Sequence, residues 1–318
     1  MQRLSLRDGR SLAYSWFGAP PPPRQPASQE ALTIGKAAGP GAAAPARAAA
    51  PISVLLHFHG FLSSRLEAAL LDADARHHGM SVLAVDRPGH GGSTLNPQQT
   101  VESTAEDVKE LLDSLGLHSV FIQGASGGAP YACATAALLG TRAAGLLLVC
   151  PLMPAAGREA ELLFGVSPSS LRLAHGAQHH PWRVWATLHA LRLLQRIPHG
   201  NLLLRLGGFS EEDRRVMAER PEAAAALTAA VREGLAQGVR GALQDLQLFY
   251  VNPPAVDLSS LALPTHIWQG TLDSTTPPAM ACAYARALPK ATLHELEEGH
   301  ISLPFRHNRA ILGSLLGS

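Results

Sequence analysis

Apolar residues recur along this chain with two different periods, and the alternation of those periods predicts the architecture. Residues 52–58, 81–85, 120–123 and 145–150 are short, continuous apolar runs, as strands buried on both faces of a parallel sheet require. Residues 265–270 and 291–296 continue the series. Between the runs, apolar positions follow helical spacing. Residues 100–115 carry acidic side chains early, leucines on one face and Gly116 as a stop. Residues 64–77 open on Ser64 and Glu67, which predict a capping box. Helices are also expected over 127–139, 278–288 and 305–316. At the start, residues 4–14 read as two alternating strands joined by an Asp8-Gly9 turn.

Two stretches break this rhythm. Residues 18–51 run through Pro20–Pro23 into an Ala/Pro/Gly tract with almost nothing large to bury, so a disordered surface insertion is expected. Arg24 and Arg47 make a transit peptide conceivable, but the tract follows the hairpin and shows no amphipathic helix. Residues 152–251 show helix-like segments around 184–194, 211–218 and 222–235 and no convincing strand. They read as a helical insertion. The predicted fold class is therefore α/β, a doubly wound, mostly parallel sheet built from residues 1–151 and 252–318, interrupted by a helical lid over 152–251.

Composition narrows the function. The 318 residues include 26 basic and 25 acidic side chains, a formal net charge of +1, with no dense Lys/Arg run or interleaved aromatics, so no nucleic acid partner is expected. A small, weakly charged ligand is the expectation. No membrane span is long enough to be read, and no cleavable leader is visible, which points to a cytoplasmic protein, monomer or homodimer. The three cysteines, Cys133, Cys150 and Cys282, are scattered in apolar runs and read as reduced, buried thiols.

The candidate chemistry lies where strands end. Gly124-Ala125-Ser126-Gly127-Gly128 is a Gly-x-Ser-x-Gly turn between a strand and a helix, which holds a serine hydroxyl in a strained backbone at a helix N-terminus. Asp273 follows the run at 265–270, and His300 follows the run at 291–296. A serine hydroxyl needs a histidine to remove its proton, and the histidine needs a carboxylate to fix its tautomer. Negative charge developing on a substrate oxygen would meet the N–H of Gly127 and that of Phe61, in the loop His59-Gly60-Phe61. Met153, Phe164, Trp182, Trp185 and Phe249 are candidates to line an acyl pocket. Asp86 is expected to hold the backbone around Pro88 and Gly89. His57 and His59 lie at strand spacing but lack a third ligand, so no metal site is assigned.

These motifs together, with Asp86-Arg87-Pro88-Gly89-His90-Gly91-Gly92-Ser93, Gly270-Thr271-Leu272-Asp273 and Gly299-His300, resemble the α/β-hydrolase fold family, in its lidded serine-hydrolase branch. The resemblance covers residues 52–151 and 262–305. It implies a Ser126–His300–Asp273 triad, an oxyanion hole from Phe61 and Gly127, and a small-molecule ester or thioester substrate with no cofactor. Asp245 is the alternative acid. The same three residues would also serve an acyltransferase or a C–C bond hydrolase, and the fold also occurs in non-catalytic binders.

Overall fold

The computed structural model describes residues 1–23, 53–195 and 208–317. The Ala/Pro-rich tract lies, from residue 24 onward, outside them. The described residues form an eight-stranded sheet: β1 (Gln2–Ser5), β2 (Ser11–Gly18), β3 (Ser53–Phe58), β4 (Met80–Val85), β5 (Val120–Ala125), β6 (Ala143–Val149), β7 (Thr265–Gly270) and β8 (Ala291–Leu296). Their order is β1-β2-β4-β3-β5-β6-β7-β8. The hairpin is antiparallel, with Leu4 opposite Leu12, and β2 joins β4 antiparallel. Every other pairing is parallel.

The continuous apolar runs exist because both faces are covered. Leu56, Phe58, Leu83, Val85, Leu146 and Leu148 enter one core cluster, while their neighbours Leu55, Val82, Ala84, Leu147 and Val149 enter another. A period of two thus sends alternate residues into separate cores.

The strand order also locates a crevice. From β3 the chain winds outward to β4, then returns to lay β5 on the other side of β3. At such a switch point the loops after the two central strands diverge, leaving an opening beyond their carboxyl ends. Phe58 pairs with Gly124, so the loop at Gly60 and Phe61 lies beside the turn at Ser126.

The helix after Thr100 forms as expected over Val101–Ser114, with a capping box that uses Ser103. The capping box predicted at Ser64 does not form. Ser64 caps a 3₁₀ turn, Arg65–Leu71, which an α-helix, Asp72–His77, continues. Glu67 instead reaches sideways, both carboxylate oxygens lying 3.1 Å from the Gly60 backbone N–H. Between β6 and β7 the described residues carry helices, among them Pro168–His179, Pro181–Leu194, Glu211–Glu219, Pro221–Gly234 and Arg240–Tyr250.

Candidate active site

Ser126 sits at φ +49°, the left-handed region that a non-glycine residue rarely holds and that costs about 1–3 kcal/mol. Close packing enforces it. A Cβ on Gly124 would lie 2.7 Å from Ala129 Cα, and one on Gly128 would strike the Phe58 carbonyl, so only glycine lets the helix Ala129–Leu139 approach β5 and β3 this closely. The Ser126 carbonyl accepts from Leu152 N–H at 3.0 Å, which ties the turn to the chain leaving β6.

His300 and Asp273 meet although 27 residues separate them. The imidazole Nδ1 lies 2.7 Å from Asp273 Oδ2. The other carboxylate oxygen accepts the backbone N–H groups of Thr275 and Thr276 at 2.8 and 3.0 Å. Thr276 Oγ1 lies 2.9 Å from Asp273 Oδ2 and 3.0 Å from His300 Nδ1. Sequence reading missed Thr276, whose hydroxyl reaches the pair only because the Asp273 turn folds back on itself. Burial acts to lower the His300 pKa, but the charge and hydrogen bond of Asp273 outweigh it, with smaller help from Asp213 and Glu67, and the net shift is upward.

A second carboxylate also holds the histidine. Asp213, fully buried on the helix Glu211–Glu219, accepts the backbone N–H groups of His300 (3.2 Å), Ile301 (2.8 Å) and Ser302 (2.8 Å). It thereby caps the closing helix, Ser302–Ser314.

Ser126 and His300 face one cavity of about 940 Å³, walled by the strand-end loops on one side and the inserted helices on the other. No hydrogen bond joins their side chains among the described residues. The backbone N–H groups of Phe61 and Gly127 have no acceptor among the described residues, and a Cβ on Gly127 would lie 3.2 Å from Phe61 N. The two donors are therefore neighbours at the rim of the elbow. Beneath them lies Glu67, whose Oε1 is 3.5 Å from His57 Nε2. Burial acts to raise its carboxyl, but the hydrogen bond and charge of His57, with Ser63 and Gly60, hold it below the usual range.

None of the five residues expected to line the pocket is among the residues that wall the cavity. Met153 and Phe249 are buried in the core, Phe249 packing edge-on against Phe61 at 6.3 Å. Phe164, Trp182 and Trp185 are exposed to solvent, at 82%, 66% and 51%. Val184 and Leu188 are the buried pair of the helix Pro181–Leu194, so its tryptophans fall outside the packed stripe. Leu70, Leu171, Phe209, Val231, Ile301 and Phe305 supply apolar wall instead.

Asp245 is engaged elsewhere. It takes Arg87 Nη2 at 2.6 Å and the Tyr131 hydroxyl at 2.6 Å, in a fully buried network. Asp86 accepts the backbone N–H of Gly92, in the loop that follows Pro88 and Gly89, and also that of Arg65. The side chains of Cys150, Asp273 and His300 converge within 4.8 Å. That grouping is the acid–histidine pair with a thiol behind it, since burial pushes Cys150 well up and keeps its proton in place. No helix among the described residues is long and apolar enough to cross a membrane.

No curated protein matches this chain. Solved structures do, across nearly its whole length. An enol-lactonase from Burkholderia xenovorans LB400 is 19% identical with a TM-score of 0.64, covering 100% of both chains. A thermophilic esterase from Thermogutta terrifontis is 23% identical with a TM-score of 0.63, covering 100% of this chain and 99% of its own. An esterase from Rhodococcus sp. ECU1013 is 19% identical with a TM-score of 0.62, covering 99% and 96%. At such identities the likeness is one of fold. The family model for the alpha/beta hydrolase fold matches residues 53–306, which takes in the sheet from β3 onward, the serine elbow and the histidine loop. With its strand order and its elbow after β5, the chain belongs to the alpha/beta hydrolase fold family.

Proposed function

We propose that the protein is a serine hydrolase that cleaves a carboxylic ester or thioester of a small to medium apolar acyl group through an acyl-enzyme. Ser126 Oγ attacks the acyl carbon while His300 Nε2 takes its proton, and Asp273 holds the opposite ring nitrogen and stabilises the imidazolium. The N–H groups of Phe61 and Gly127 receive the oxyanion, each such donor contributing about 3 kcal/mol of barrier lowering. His300 then protonates the leaving group, and water repeats the sequence to free the acid. The inserted helices act as a lid that closes the apolar wall over the acyl chain.

One observation carries this reading: a histidine bonded at 2.7 Å to a buried aspartate opens onto the same cavity as a serine held at φ +49°. A fluorophosphonate probe tests it. Wild-type protein should label and hydrolyse p-nitrophenyl esters, and Ser126→Ala should do neither. Folded wild-type protein that resists the probe would instead indicate a binder that keeps the fold without the chemistry.

A further inference from the structure

Between Glu161 and Glu211 the chain runs for 49 residues, 162–210, without one Asp or Glu, while carrying five Arg and five His. The near-zero net charge of the whole chain conceals this run. Its described part builds the wall of the cavity that faces the catalytic loops. Arg172 and His175 from the helix Pro168–His179, and Arg183 from the helix Pro181–Leu194, all line that cavity, with His180 at the junction between them.

The two guanidiniums are unspent. Arg192, on the same helix as Arg183, gives its donors to the carbonyls of Leu235 and Ala236. Arg172 and Arg183, by contrast, have no ion-pair partner among the described residues. Arg183 lies over the Trp182 ring at 5.3 Å, a contact that leaves the edge of the guanidinium free. The one acidic side chain lining the cavity among the described residues, Glu67, is held by Gly60 and His57 next to the elbow: a methyl on Gly60 would lie 3.4 Å from its Oε2 and 3.5 Å from Ser126 Cβ. The cavity thus carries a carboxylate beside the serine and two guanidiniums on the inserted helices, in a wall that is otherwise largely apolar.

We infer that the preferred substrate is an ester or thioester with an anionic group, carboxylate or phosphate, separated from its carbonyl by a spacer, and that Arg172 and Arg183 bind that anion. This inference rests on the hydrolase reading and names its substrate class. Arginine suits the task because its planar fork can take a carboxylate or phosphate through two parallel hydrogen bonds. Glu67 opposes the reversed pose by repelling an anion placed at the elbow.

The test compares matched pairs at about pH 8, where ordinary histidines are neutral. p-Nitrophenyl hydrogen suberate against p-nitrophenyl octanoate places a carboxylate on the acyl side. Octanoyl-CoA against the octanoyl thioester of N-acetylcysteamine places phosphates on the leaving group. In at least one pair the anionic member should show kcat/KM about fivefold to tenfold higher. Raising salt from about 0.01 M to about 1 M shortens the screening length from about 30 Å to about 3 Å and should erase the preference. In R172Q/R183Q the ratio should fall toward one, and in R172E/R183E below one. Which pair responds identifies the anion's position. Ratios near one in both wild-type pairs, or a preference that survives R172E/R183E, overturn the inference while leaving the hydrolase reading intact. Should wild-type protein turn over no ester at all, the hydrolase reading fails, and binding decides the inference: suberate must raise the melting temperature at low salt in wild type and not in R172E/R183E, and an equal effect in both overturns it.

Discussion

The bond from Asp273 to His300 decides which ring nitrogen carries a proton, and the proposed catalysis depends on that choice. With Nδ1–H donated to the carboxylate, Nε2 is left to act as the proposed base for Ser126. Asp273→Asn offers an amide that favours the opposite tautomer, and kcat should fall about 10⁴-fold with the fold intact. The same change carries a pH signature. A carboxylate stabilises the imidazolium and raises the His300 pKa, and only neutral His300 can act as base. Wild-type kcat/KM should therefore rise with pH through that elevated pKa, and residual activity in the variant should rise at lower pH. A pH–rate profile checks both, and an unmoved acid limb would remove Asp273 from the scheme. Ser126, Asp273 and His300 were legible because each follows a strand-like run, which chain order alone reveals. Thr276 was not, because its hydroxyl serves the pair through a turn that only the folded backbone creates.

At the scale of elements, the inserted helices do more than cover the cavity, since one of them grips the loop that bears the histidine. Asp213 accepts three consecutive backbone N–H groups from residues 87 to 89 positions further along the chain. Nothing in a local reading signals a partnership at that separation. The capping box of Ser210 and Asp213 explains the carboxylate locally, and its second role appears only in three dimensions. Periodicity shows that a helix exists; it does not show what the helix touches. The exposed tryptophans make the same point, for the sequence offers them as pocket residues while the stripe that packs is Val184 and Leu188. Asp213→Asn turns an amide toward those N–H groups and leaves them without a charged acceptor, a cost of about 1–3 kcal/mol. It should lower kcat about tenfold or more with KM little changed. It should also move the acid limb to lower pH, because the lost charge had favoured the imidazolium. A variant that melts earlier but keeps both kcat and pH profile would reduce Asp213 to a helix cap.

Across the whole molecule, core and insertion are joined by a buried polar network, and its histidines make the fold sensitive to acid. Arg87 donates to the carbonyl of His59 and to Asp245 on the helix Arg240–Tyr250, and stacks 4.8 Å from the Tyr131 ring. His59 fits this network as a neutral ring, with Nδ1–H toward the Gly60 carbonyl at 2.9 Å and Nε2 accepting the Arg87 N–H at 3.3 Å. Protonation would turn Nε2–H against that donor beside a guanidinium. Burial, with Arg87 and His90 adding repulsion, holds His59 well below its usual range. Burial likewise lowers His90 to about 4, against the opposing pull of Asp245. Both folded-state values lie below the unfolded value of about 6.5, so in that window the unfolded chain binds more protons. The stability these histidines contribute is therefore fully present above about pH 6.5 and should be lost as pH falls toward 4, His90 alone accounting for about 3 kcal/mol. Urea unfolding at about pH 7 and about pH 4.5 should show that loss in the wild type and a smaller loss in His90→Gln, which cannot titrate. The comparison matters because carboxylates also respond to acid, and an equal loss in both proteins would assign the acid sensitivity to them instead of to the buried imidazoles.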